Sequence, residues 1–164
     1  MSNKSGRISL DSPEAFRQRL GQLLADCRYS LNILSNDLDS TLWGLENLSA
    51  ELSRLNREAR NRCQIHILVK DPHLLINTPH RLAQIHKRLP TIVQIRQLQL
   101  EPQNEQINYI IADRQVLLFQ HQHGVYQGFF DPEARAEAQG LLDEYTELWQ
   151  RHSSDIAELR QLSL

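Results

Sequence analysis

Residues 105–130, EQINYIIADRQVLLFQHQHGVYQGFF, decide the fold of this chain. The segment contains three short apolar runs, and loops of a few residues join them. Short apolar runs bounded by turn-forming residues are typical of strands. The segment therefore predicts a meander of three strands, at 107–112, 115–120 and 125–130.

Upstream of this meander, helical and strand patterns alternate. Ser12 followed by Pro13 marks a helix start, since serine caps a helix and proline suits its first turn. Apolar residues then recur at helical spacing in 13–27, 45–59 and 79–89, and strand-like runs lie at 29–34, 64–69 and 91–98. A further helix is predicted over 132–149. This order favours an α/β fold with a mixed, largely parallel sheet flanked by helices.

The length of 164 residues fits one domain that is large enough to bury a core. We expect a flexible N-terminus at 1–10, a single α/β domain over 11–152, and a C-terminal tail or short helix at 153–164. The formal net charge of −2 offers no global attraction to nucleic acid or to an acidic membrane surface. No nucleic-acid or membrane partner is predicted.

The cysteines and the lengths of the apolar runs indicate the cellular compartment in which the protein is expected. Cys27 and Cys63 lie in no CxxC pattern, so we expect buried, reduced thiols. The N-terminus has no apolar core of signal-peptide length, and no run approaches the roughly 18 apolar residues of a membrane span. These features predict a cytoplasmic protein.

A first candidate motif is the run 37–41, DLDST, which resembles the DxDxT signature of haloacid-dehalogenase-like phosphatases. The resemblance implies Asp37 as the nucleophile, Asp39 as the proton carrier, and Lys70 as the lysine. This chain departs from that pattern because the apolar run ends at Leu34, Ser40 replaces a glycine, and a downstream acidic pair for magnesium is absent. The alternative interpretation is an Asx-rich turn that caps a short helix.

Histidines form the second candidate site. His121 and His123 are two residues apart, and on a strand both would face the same way and could share a metal ion. No third ligand lies nearby in sequence, which favours a turn with exposed histidines ahead of Gly124. No metal or cofactor is therefore predicted.

Residues 106–113, QINYIIAD, are in register with the HxKxxxxD motif of the phospholipase D superfamily, and 120–123, QHQH, lie where that family has GSxN. The pattern of helices and strands on both sides also agrees, from about 12 to 152. The chain thus resembles a degenerate, HKD-type phospholipase D-like half. It is most similar to small proteobacterial domains of unknown function, some of which accompany acetyltransferase domains.

The resemblance places Gln106 where the family has its nucleophilic histidine and Asn108 where it has its phosphate-binding lysine. A carboxamide can neither attack phosphorus nor act as a general acid. Asp113 retains the family residue. We therefore predict a non-catalytic binding or interaction module, with a degenerate cleft formed by Gln106, Asn108, Asp113, His121 and His123.

Single-motif members of the superfamily pair about a two-fold axis, so the resemblance implies a homodimer, and the aromatic segment 125–130 supports it. A phosphorylated ligand or a protein partner such as an acetyltransferase is the expected binding partner. Two enzyme alternatives remain open. One is a divergent phosphodiesterase or nuclease that uses His121 or His123, and the other is the phosphatase that uses Asp37 and Asp39.

Overall fold

The computed structural model describes residues 6–60 and 62–161, with side chains through residue 159. The strands are β1 (Ile8–Leu10), β2 (Ser30–Ser35), β3 (Gln64–Val69), β4 (Val93–Leu98), β5 (Asn108–Ala112), β6 (Val116–Gln122), β7 (Val125–Asp131) and β8 (Ser153–Asp155). The helices are α1 (Pro13–Asp26), α2 (Ser40–Trp43), α3 (Leu48–Glu58), α4 (His73–Asn77), α5 (Arg81–Arg88), α6 (Arg135–Arg151) and α7 (Ala157–Gln161).

All eight strands join one sheet, in the order β1-β7-β6-β5-β2-β3-β4-β8. The predicted α/β class, with a mixed sheet flanked by helices, is confirmed. Parallel pairing is confined to β2, β3 and β4. The other neighbouring pairs are antiparallel, because the meander and the two short outer strands all run against their neighbours. The sheet is therefore less parallel than the sequence pattern predicts.

The two outer strands lie in the expected flexible N-terminus, 1–10, and in the expected C-terminal tail or short helix, 153–164. Residues 1–5 of the expected flexible N-terminus lie outside the described residues, but residues 8–10 form β1 and pair with β7. At the other end, β8 pairs with β4, and α7 follows it. Strands of three residues are too short to show a period of two, and their partners are distant in sequence. The domain boundaries at 11 and 152 stay a prediction.

The sheet is buried on both faces. Side chains of α1, α3 and α5, including Phe16, pack on one face together with Ile33 and Ile67. Helix α6 covers the other face, where Tyr145 packs against the residues next along the strands, such as Leu34. Adjacent strand residues point to opposite faces, so burial of both explains the continuous apolar runs of β2 and β3.

Cys27 and Cys63 are both buried and unbonded to each other, as predicted. Burial, with a smaller contribution from Asp113, raises the pKa of the Cys27 thiol to about 12, so this thiol is protonated at neutral pH. Among the described helices, none has the length and apolar character that a membrane crossing requires.

Candidate functional site

The polar residues of interest lie where β2 and β3 end and β5 begins. These positions adjoin because β5 runs antiparallel to β2, so the loop after Ser35 lies beside Asn108. Gln120 is the cross-strand partner of Asn108 on β6. We call Asp37, Asn108, Gln120 and His123 the sheet-end cluster.

Asn108 is hydrogen-bonded within the protein through both ends of its carboxamide. Its Oδ1 accepts from the backbone N–H of Asn36 at 3.0 Å, and its Nδ2 donates to Gln120 Oε1 at 3.0 Å. Gln120 Nε2 in turn donates to the carbonyl of Val125 at 3.0 Å. The residue is only 8% exposed. This amide therefore satisfies buried polar groups of the chain itself.

His123 lies beside this network, in the turn after β6. Its Nδ1 is 3.4 Å from Asn108 Nδ2, and its Nε2 is 3.9 Å from Asp37 Oδ2. Its backbone N–H donates to the carbonyl of Gln106 at 2.8 Å. The structure therefore brings together Gln106, Asn108 and His123 of the predicted cleft, and adds Asp37 to them.

Asp37 is held in an unfavourable environment for a charge. Its Oδ1 is buried and has no hydrogen-bond partner in the described part of the chain. Burial raises the pKa of this carboxyl, and Asp39 and Asp71 act in the same direction, whereas His123 opposes them. The ionised carboxylate is thus less stable here than in water.

We expect the substitution Asp37→Asn to stabilise the fold at pH 7. A carboxyl whose pKa is raised on folding contributes stability only when it is protonated, and this contribution is lost as the pH rises through the folded-state pKa. Urea unfolding of wild type and variant between pH 3 and 8 measures the effect. The difference in free energy of unfolding between variant and wild type should shrink as the pH falls, and it should vanish near and below the ordinary aspartate pKa of about 4. A variant that is less stable than wild type at pH 7 contradicts this prediction.

Asp113 is at the opposite end of β5 from Asn108. Its carboxylate accepts the backbone N–H groups of Arg28, Tyr29 and Ser30 at 2.9, 2.7 and 3.1 Å. It therefore fixes the turn that leads from α1 into β2. The structure does not bring Asp113 into the sheet-end cluster.

His121 is also apart from that cluster. Its exposed ring contacts Phe119 and Phe129, with centroid distances of 5.2 and 6.0 Å. A register irregularity between Gln120 and Gln122 interrupts the pairing of β6 with β7, and His123 follows the end of β6. The two histidines consequently contact different groups. Within the described residues, no cluster of three or more His, Cys, Asp or Glu could hold a metal ion.

Residues that the sequence motifs did not identify shape the loop after β2. Tyr126 donates its hydroxyl hydrogen to the carboxylate of Asp39. His80 is buried, with Nε2 2.7 Å from the carbonyl of Leu38 and Nδ1 3.1 Å from the N–H of Leu82. Nδ1 must accept and Nε2 must donate, which is the neutral tautomer, and burial lowers the pKa of this imidazole. No linear motif indicates the contacts of Tyr126 with Asp39 and of His80 with Leu38, because each joins segments far apart in sequence.

The phosphatase-like run begins two residues after β2 ends at Ser35. Lys70, the lysine that this resemblance implies, donates from Nζ to the carbonyl of Glu105. Its side chain is half-buried, and burial lowers its pKa. The lysine and the two aspartates of this run therefore all have internal interactions.

Comparison with solved structures shows a phospholipase D-like fold. The phospholipase D-family nuclease NucT from Helicobacter pylori has a TM-score of 0.62 at 11% identity, over 92% of this chain and 98% of that one. Phosphatidylserine synthase from Haemophilus influenzae Rd KW20 has a TM-score of 0.55 at 13% identity, and the match covers 95% of this chain and 40% of the synthase.

A third similar structure is TrmBL2, an archaeal chromatin protein described as having a novel mode of DNA binding, with a TM-score of 0.65 at 10% identity. The match covers 95% of this chain and 56% of TrmBL2, so the chain spans little more than half of that relative. At sequence identities this low, the structural similarity is evidence for the fold alone.

A search of curated protein sequences gives no match. Residues 12–162 match the family model described as Domain of unknown function (DUF7931), and the chain belongs to that family.

Proposed function

We propose that this chain is a phospholipase D-like domain without phosphodiester chemistry that acts as a binding or interaction module. The observation that carries the proposal is the set of hydrogen bonds of Asn108, the residue that the motif resemblance aligns with the phospholipase D lysine. Its Oδ1 accepts from Asn36, and its Nδ2 donates to Gln120 and lies 3.4 Å from His123 Nδ1, so the polar atoms of this amide have partners within the protein. Gln106, at the position of the nucleophile, cannot attack phosphorus.

The charges around the cluster favour a protein partner over a phosphorylated ligand. Asp39 and Asp71 are close enough to Asp37 to raise the pKa of its carboxyl. Lys70, which follows β3 at this end of the sheet, donates its Nζ hydrogen to the carbonyl of Glu105. Three carboxylates repel a phosphate group, whereas they suit a donor-rich or cationic protein surface. An acetyltransferase or another enzyme stays among the proposed partners, and the buried, reduced cysteines suit a cytoplasmic site of action.

We expect no metal-independent hydrolysis of bis-p-nitrophenyl phosphate in EDTA. Release of p-nitrophenol by wild type should equal the buffer rate, and His121→Ala and His123→Ala should leave it unchanged, since no positioned nucleophile is lost. The same assay with a phospholipase D-family nuclease checks that the substrate and conditions are competent. Turnover by wild type that disappears in His123→Ala contradicts the proposal.

That contrary outcome would support the divergent phosphodiesterase or nuclease. One observation favours it: His123 Nε2 is 3.9 Å from Asp37 Oδ2, and a carboxylate beside an imidazole can orient it for catalysis. The phosphatase alternative has a different signature. It requires magnesium-dependent hydrolysis of p-nitrophenyl phosphate that is lost in Asp37→Asn, although the burial of Asp37 Oδ1 disfavours attack by that oxygen.

We also propose that the chain forms a homodimer through the β7 surface. Val125 is 38% exposed, and the half-buried ring of Phe129 lies on the same face of this strand. Sedimentation equilibrium should give a dimer mass for wild type and a monomer mass for Val125→Asp, because a charge in an apolar interface lacks a partner. Leu100→Asp is the matched control, since Leu100 is 51% exposed and lies outside β7. A monomeric wild type, or a dimer that Val125→Asp does not weaken, contradicts the proposal.

A further inference from the structure

A pocket lies on the α6 side of the sheet, at the end opposite to the sheet-end cluster. Its volume is about 180 Å³, and its floor includes Gln64, the first residue of β3, and Asn32 near the start of β2. Trp149 of α6 and Arg114 of the β5–β6 turn form parts of its wall. We call it the α6 pocket.

The floor of this pocket is polar where the strand pattern calls for apolar residues. Asn32 and His66 are neighbours in the parallel pairing of β2 with β3. Two residues further along each strand, on the same face, Leu34 and Leu68 pack in the core under α6. The apolar layer under α6 therefore ends at Leu34 and Leu68. At the preceding same-face positions, Asn32 and His66, a cavity lined by hydrogen-bonding groups replaces it.

Stacked rings make one wall of the α6 pocket. His66 lies flat on Trp149, with ring centroids 4.2 Å apart and planes 3° from parallel. Trp149 is in turn stacked at 6.1 Å on Tyr145, whose hydroxyl donates to the carbonyl of His66 at 2.8 Å. Burial lowers the pKa of His66, so its imidazole is neutral at pH 7. Within the described residues, no hydrogen bond occupies either ring nitrogen of His66.

The lining of the α6 pocket has one formal charge. Arg114 is exposed, and no carboxylate is among the residues that line the cavity. A guanidinium pairs with a carboxylate through two parallel hydrogen bonds. The cavity, at about 180 Å³, accommodates a small organic molecule.

We propose that the α6 pocket binds a small hydroxy acid, with its carboxylate on Arg114 and its hydroxyl group among Asn32, Gln64 and His66. The neutral imidazole and the amides each supply a donor or an acceptor, which suits a hydroxyl group. An ammonium group in the same position would find no carboxylate. The pocket should therefore prefer a hydroxy acid to the amino acid of the same shape.

Tryptophan fluorescence tests this proposal directly. The chain has two tryptophans, so Trp43→Phe leaves Trp149 as the single reporter in the pocket wall. Titration with sodium lactate should give a saturable change that sodium chloride at equal ionic strength does not give. Binding of alanine, which has the same number of non-hydrogen atoms, should be at least about tenfold weaker.

Two arginine variants test whether lactate binds in the α6 pocket. Arg114→Gln should weaken lactate binding at least about tenfold, whereas Arg28→Gln, an exposed arginine outside the pocket lining, should leave it unchanged. Side-chain amide shifts of Asn32 and Gln64 in ¹⁵N-labelled wild type give a second readout that does not depend on Trp43→Phe. Failure of lactate to saturate either signal overturns the proposal, as does equal binding by Arg114→Gln. Tighter binding of inorganic phosphate than of lactate overturns the carboxylate assignment.

Discussion

Gly128→Ala should destabilise the fold by on the order of 3 kcal/mol, because a methyl group at this position overlaps backbone atoms. An ideal Cβ on Gly128 would lie 1.8 Å from the carbonyl oxygen of Phe119 and 3.1 Å from Cα of Gln120. Gly128 pairs with Gln120 on one side and with Leu10 on the other. The backbone of β7 therefore cannot shift without breaking pairs to β6 or to β1.

Gly140→Ala is the matched control for this prediction. A Cβ on Gly140 meets no heavy atom within 4 Å, and the residue is exposed within α6. Alanine there should stabilise the protein by about 0.5–1 kcal/mol, since glycine loses more conformational entropy in a helix. Urea unfolding of both variants measures the two effects. A Gly128→Ala variant within about 1 kcal/mol of wild type would show that β7 accommodates the methyl group.

Asp113→Ala should reduce the free energy of unfolding by a similar amount, on the order of 3 kcal/mol. The substitution removes the acceptor for three successive backbone N–H groups, those of Arg28, Tyr29 and Ser30. Hydrogen bonds to a carboxylate are stronger than those between neutral groups, and water can satisfy these donors only where they are exposed. The junction between α1 and β2 should loosen first.

Two further variants separate this role from a general effect of charge. Asp113→Asn keeps the shape but turns a donor toward one of the three N–H groups, so we expect an intermediate loss of about 2 kcal/mol. Asp26→Asn removes an exposed carboxylate at the end of α1 and should change the stability by less than about 0.5 kcal/mol. Amide hydrogen exchange should be faster at residues 28–30 in Asp113→Ala than in wild type. Unchanged stability and exchange would contradict the proposed role of Asp113.

The sequence predicts elements whose apolar pattern is long and regular. The observed β3, Gln64–Val69, has the predicted bounds, and β7 extends one residue beyond its predicted range. The short strands β1 and β8 are missed because each depends on a partner far away in the chain. The same non-local pairing inserts β5 beside β2, which no local pattern indicates.

The candidate site is predictable only in part. The resemblance groups Asn108 with His123 and Asp113, and the structure brings only His123 near Asn108, at 3.4 Å between ring and amide nitrogens. The strand predicted at 107–112 already implies that Asp113 lies beyond the far end from Asn108, and the structure places β5 there. Five steps along a strand at about 3.4 Å each put these residues roughly 17 Å apart. The Asp37 contact to His123 joins two loops, so the sequence could not indicate it.

The hydrogen bonds of Asn108 make the substitution Asn108→Lys unfavourable in this chain. An ammonium group cannot accept the N–H of Asn36, so a lysine at this position would leave that donor without its partner. Its charge would also enter a site that is almost fully enclosed, beside a carboxamide already directed at Val125. A lysine at this position would therefore also require changes at Gln120 and in the loop after β2 to keep the buried polar groups paired.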